Sequence, residues 1–101
     1  MMLHTVNKSP FMSNNLDSCL RVAKKGSAIL LIEDGIFAAL KGTALTDKVS
    51  AANADTQIYV LGPDLAARGY GEDAVIEGVK VVDYAGFVDL AVEHDKVQSW
   101  V

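Results

Sequence analysis

The stretch AILLIEDG, residues 28–35, decides the fold. Its first five residues, Ala28 to Ile32, are apolar without alternation, so a strand here has both faces buried, as in a parallel sheet covered by helices. The run stops at Glu33-Asp34-Gly35, a turn in which Asp34 can cap a short helix over Ile36 to Leu40 that ends at Gly42.

Outward from this strand, apolar runs alternate with helical patterns in both directions, the signature of an α/β domain. Upstream, Met2 to Val6 forms a first strand. Pro10 then breaks the chain and holds Ser9 extended. A helix follows from Asn14 to Lys25, with Ser13 or Asn14 as cap, Asp17 in the first turn, Lys24 and Lys25 in the last, and Gly26 as a left-handed stop. Downstream, Thr43 to Thr56 is polar and Ala-rich, with a weak helical signal over Asp47 to Ala52. Gln57 to Leu61 is a third strand. Pro63 opens a short helix that ends before Gly69, on which Asp64 and Arg68, four residues apart, can pair. A fourth strand covers Val79 to Val82. Tyr84 to His94 is a helix with Phe87, Leu90, Ala91 and His94 along one side, and Lys96 to Val101 has the length of a fifth strand. Right-handed crossovers make such strands parallel.

The 101 residues amount to one domain, residues 1–101, able to bury about 60–65% of its unfolded surface. Half the residues are hydrophobic, so some apolar surface stays outside or meets a partner, which suggests a subunit of an assembly. The formal net charge is −4 and the nine Lys and Arg residues are scattered, which argues against direct nucleic-acid binding. One cysteine forms no internal disulfide. No signal peptide or apolar run of about 18 residues is present, so the chain reads as cytoplasmic, with no membrane partner.

Few residues suggest chemistry. His4, His94 and Cys19 show no metal-ligand spacing, and His94 is explained by its place near a helix C-terminus. GYGEDA (residues 69–74) fits a dinucleotide fingerprint in letters only: it follows a helix, and Glu72-Asp73 falls where phosphates would bind. Glu33-Asp34 lies at the carboxyl end of a strand, where open α/β sheets bind ligands, but it serves equally as a cap with a solvated neighbour. Cys19 shares an apolar stripe with Leu16, Leu20 and Ala23 at i, i+3, i+4 and i+7, the setting of a core thiol rather than of a reactive one at a helix N-terminus. Arg21 lies about 200° around the helix from it.

Four segments carry a further reading: MLHTVNKSPF (2–11), LLIEDGIFAAL (30–40), YVLGPDLAARG (59–69) and VVDYAGFVDLAVEHDKVQSWV (81–101). In order and spacing they resemble the DsrH/TusB family of sulfur-relay subunits over nearly the whole chain. The resemblance implies a three-layer α/β/α sandwich around a parallel five-stranded sheet. It also implies a place beside DsrE-like and DsrF-like subunits (TusD and TusC in the Tus branch) in a heterohexamer that passes sulfur as protein persulfide. The donor would be of TusA type and the acceptor of DsrC or TusE type, with no metal or cofactor. A cysteine on the first helix makes the chain most similar to DsrH, of the dissimilatory sulfur-oxidation branch, with Cys19 as a candidate auxiliary sulfur acceptor. The main active cysteine of such complexes belongs to the DsrE-like partner. Two alternatives stand beside this reading: a TusB-type subunit of the relay for tRNA 2-thiouridine, or a purely structural subunit with Cys19 in its core. Sulfur transfer to Cys19 would need its thiolate, which attacks the outer sulfur of a donor persulfide and releases the donor thiol.

Overall fold

A computed structural model describes residues 1–101. Five strands, β1 (Met2–Val6), β2 (Ala28–Leu31), β3 (Gln57–Leu61), β4 (Lys80–Val82) and β5 (Lys96–Trp100), form one sheet of order β4-β3-β2-β1-β5. Every pairing is parallel. The AILL run is the central strand: Ala28 to Leu31 pairs with Leu3 to Val6 on one side and with Gln57 to Val60 on the other. All four of its side chains are buried, as the unbroken apolar pattern requires.

Four helices connect the strands: α1 (Asn15–Val22), α2 (Thr46–Ala52), α3 (Gly62–Ala67) and α4 (Tyr84–Glu93), with 3-10 turns at Glu33–Ala39 and Glu72–Ala74. From β1 to β4 each connection steps one strand in the same direction, whereas the last returns across the whole sheet to place β5 beside β1. Right-handed crossovers then put α4 on the face opposite to the others. The cores agree. On one face Leu16 and Cys19 of α1, Ile36 and Ala39 of the first 3-10 turn, Val49 of α2 and Leu65 of α3 pack on Val6, Ile29, Leu31, Ile58 and Val60 in a cluster of 16 buried residues. On the other, Leu90 of α4 meets Leu3, Ala28 and Leu30 in a cluster of only 4, joined by half-buried Phe87, Ala91 and Tyr59. The layers are α/β/α but unequal, with a single helix covering the second face.

Several local details depart from the sequence reading. α1 ends at Val22, because Ala23 is already extended (ψ 125°); Lys24 and Lys25 lie beyond it, and Gly26 (φ 91°) serves the turn into β2 instead of the helix stop. Asn14 makes no side-chain cap; the Ser13 hydroxyl accepts from the Asn15 N–H at 3.1 Å. Asp34 does not cap either. It sits in the first turn of the 3-10 segment, where its carboxylate takes Arg68 at 2.9 Å. Asp64, expected to pair with Arg68, instead accepts the Glu33 N–H at 2.6 Å, while Arg68 also donates to the Asp64 carbonyl. These long-range bonds tie the end of β2 to the start of α3. Helix α4 stops at Glu93, and Asp83 caps it by accepting the Gly86 N–H at 2.8 Å.

Gly35 is fixed by closeness. A Cβ there would stand 2.1 Å from the Val6 carbonyl oxygen, so only glycine lets the 3-10 turn lie against the end of β1. The Val6 carbonyl also accepts the Ile32 N–H at 3.0 Å, which holds the two strand ends together. No helix is long and apolar enough to cross a membrane.

Candidate functional site

Cys19 projects from the middle of α1 into the larger core and is 0% exposed. Leu16 is buried beside it and Leu20 and Ala23 are half-buried against the same cluster, so the stripe predicted from the heptad-like spacing is the buried face of α1. Burial pushes the thiol from an ordinary 9.0 up to about 12. Nothing cationic offsets this: Arg21 turns to the Ser18 hydroxyl at 3.4 Å. A thiol so placed is neutral at physiological pH and out of reach of a donor sulfur in this conformation.

The carboxyl ends of the strands form a polar rim. Glu33, with φ 50°, and Asp34 follow β2, Gly62 follows β3 and Asp83 follows β4. Asp34 and Asp64 are engaged in tying loops together, and Asp83 in capping α4. The Glu33-Asp34 pair therefore acts as a structural joint. Glu72-Asp73 forms a 3-10 turn after α3, remote in pattern from a strand-to-helix phosphate loop. The Asn7 side-chain oxygen, just past β1, is enclosed without a partner. Nowhere do three His, Cys, Asp or Glu side chains converge as metal ligands.

The two histidines play different parts. The Nδ1 of His94 lies 2.7 Å from the Leu90 carbonyl at the end of α4, the helix-terminal setting expected for it. His4 is 3% exposed and takes the indole N–H of Trp100 on its Nδ1 at 3.1 Å. The spacing of residues 4 and 100 hides this pair from sequence reasoning. The parallel register, which sets Val6 opposite Trp100 and His4 opposite Gln98, creates it.

Apolar side chains also stand in solvent. Tyr84, Val88 and Val92, at i, i+4 and i+8, form an exposed stripe on the outer side of α4, with Val92 at 79% exposure, and Val97 is half exposed on the edge strand β5. Phe11 and Met12 project from the β1–α1 loop.

Comparison with known proteins agrees with this architecture. The family described as "DsrH like protein" matches residues 8–97. Protein TusB of Pectobacterium parmentieri is 39% identical over 99 residues, covering 98% of this chain and 100% of that protein. Protein TusB of Escherichia coli K12 is 34% identical over the same coverage. Among solved structures, the ychN protein from E. coli superimposes with a TM-score of 0.82 at 19% identity, covering 97% of both chains. A Methanobacterium thermoautotrophicum protein superimposes with a TM-score of 0.72 at 14% identity, covering 97% of this chain and 96% of its own. These structures share the fold; the match to the family and the full-length relatives show more, and the chain belongs to the DsrH/TusB family.

Proposed function

We propose that this chain is a TusB-type subunit of a cytoplasmic sulfur-relay complex serving tRNA 2-thiouridine synthesis, and that it contributes surfaces rather than a sulfur-carrying thiol. The carrying observation is full-length similarity, at 34–39% identity, to proteins named TusB. That similarity favours the tRNA branch over the dissimilatory-oxidation reading that the presence of Cys19 suggested. The burial of Cys19 and its raised pKa support the second half: the thiol is in the core, and the persulfide-bearing cysteine is assigned to a DsrE- or TusD-like partner. The uncovered apolar stripe on α4 is the kind of surface that subunit contacts cover.

The test is complementation. An E. coli K12 strain deleted for its own TusB is supplied with this chain, and thiolated tRNA is scored by its retardation in mercury-containing gels. Restored thiolation, with the chain co-purifying with TusC- and TusD-type subunits, supports the proposal. Co-purification without restored thiolation would move the chain to another branch of the family, and a folded chain that joins no such subunits would contradict the proposal altogether.

A further inference from the structure

The early end of α1 has a consequence at the opposite end of the sheet from the polar rim. Because the helix stops at Val22, the amino-terminal ends of β1, β2 and β5 lack a helical cover on that face. A cleft of about 430 Å³ results, floored by Met2, His4, Lys96 and Gln98 and rimmed by Val22, Lys24 and Ser27. The floor follows from the register: Met2 stands opposite Lys96 and His4 opposite Gln98, so alternate residues of β1 and β5 present the same face.

Two of its polar groups are nearly fully buried and unused. His4 is 3% exposed and Ser27 4% exposed. An indole N–H only donates, so the 3.1 Å bond from Trp100 makes His4 Nδ1 an acceptor and leaves the proton on Nε2. Neither Nε2 nor the Ser27 hydroxyl has a hydrogen-bond partner in the protein, yet neither is sealed off as an enclosed orphan; both residues line the cleft. Buried polar groups are normally satisfied, and these two are left with donors facing open space. Lys24 and Lys96 also line the cleft, against one carboxylate, Asp95, which is already held at 2.8 Å by the Met1 amino group. Met2 and Val22 supply apolar wall.

We propose that this cleft is a binding site for a small organic anion, an apolar body bearing a carboxylate or sulfonate, with His4 Nε2–H and the Ser27 hydroxyl as buried donors and Lys24 and Lys96 as the cationic rim. A cation would find only a neutralised carboxylate, and a plain hydrocarbon would leave both buried donors unsatisfied. The site is independent of the sulfur-relay reading, since its test uses the isolated chain and no sulfur transfer.

The probe is 8-anilinonaphthalene-1-sulfonate, titrated into ¹⁵N-labelled protein and compared with N-phenyl-1-naphthylamine, which has the same aromatic body without the sulfonate. The single tryptophan gives one indole N–H resonance, and it reports on His4 directly. The expected result is a saturable shift of the Trp100 indole and of the Ser27 and Lys96 amides, with the uncharged probe binding about fivefold more weakly or worse. The double substitution K24Q/K96Q, at the cleft's rim, weakens the sulfonate about three- to tenfold and leaves the uncharged probe unchanged. Equal binding of the two probes, an unaffected double variant, shifts centred on Tyr84, Val88 and Val92, or no saturable binding at millimolar probe would each overturn the proposal.

Discussion

Burial of Cys19 makes a kinetic prediction. An unfolded thiol at 9.0 is about one-tenth ionised at pH 8, whereas one at about 12 is ionised about a thousandfold less. At 0% exposure the side chain also gives a reagent the size of 5,5′-dithiobis(2-nitrobenzoate) no path, so modification must wait for the core to open. For a domain about 5 kcal/mol stable, global opening is populated about once in several thousand molecules. Both effects act in the same direction. The native protein should therefore react at least about a thousandfold more slowly than the protein in concentrated urea, and its rate should rise with denaturant in step with unfolding. Substitution gives the matching equilibrium effect. Cys19→Ala removes a sulfur from a packed cluster and should cost about 1 kcal/mol. Cys19→Ser should cost about 1–2 kcal/mol, because its hydroxyl can be satisfied only by bonding back to the preceding helical turn. A native reaction rate within about tenfold of the unfolded rate would show that Cys19 reaches solvent and would refute the core assignment.

Three further outcomes follow from other parts of the fold. Gly35→Ala should destabilise by about 3 kcal/mol or more in urea titration, since its Cβ meets the Val6 carbonyl and backbone has to move; a cost below about 1 kcal/mol would mean the β2 turn is not seated on β1 as described. Desolvation lowers the His4 pKa from 6.5, so between that lowered value and 6.5 the unfolded chain binds more protons than the folded one; stability is full above about pH 6.5, falls as pH drops below it, and His4→Gln should flatten that slope in urea melts. Asp83→Ala removes the cap of α4 and should cost about 1 kcal/mol, seen as a lower urea midpoint with an unchanged m-value.

Much of the architecture was legible because it is written in local patterns. The AILLI run announced a strand buried on both faces, and β3 occurs over the residues its pattern indicates. The apolar stripe of α1 by itself places Cys19 in the core. What the sequence concealed depends on distant partners. Asp64 and Arg68 look like an i, i+4 pair, but Glu33 and Asp34, 31 and 34 residues away, claim them. The run through Lys25 looks helical, yet β2 has to begin at Ala28 in register with Leu3, and the chain leaves the helix at Ala23 to get there. That same early exit opens the cleft above His4, and the His4–Trp100 bond that sets the histidine's tautomer spans 96 residues. Local propensity carries no trace of either. Strand order, too, follows from pairing across the chain, and only with it is the face covered by α4 alone apparent.

A relay subunit that works without its own thiol can be recognised by following sulfur through the assembled complex. The chain and its Cys19→Ala variant are each assembled with TusC- and TusD-type subunits. Each complex is loaded from a persulfidated TusA-type donor and analysed by intact mass together with transfer to a TusE-type acceptor. The expected result is a sulfur adduct of about 32 Da on the TusD-type subunit, none on this chain, and equal transfer by both complexes. A 32 Da adduct on Cys19, together with loss of transfer in an assembled Cys19→Ala complex, would contradict it.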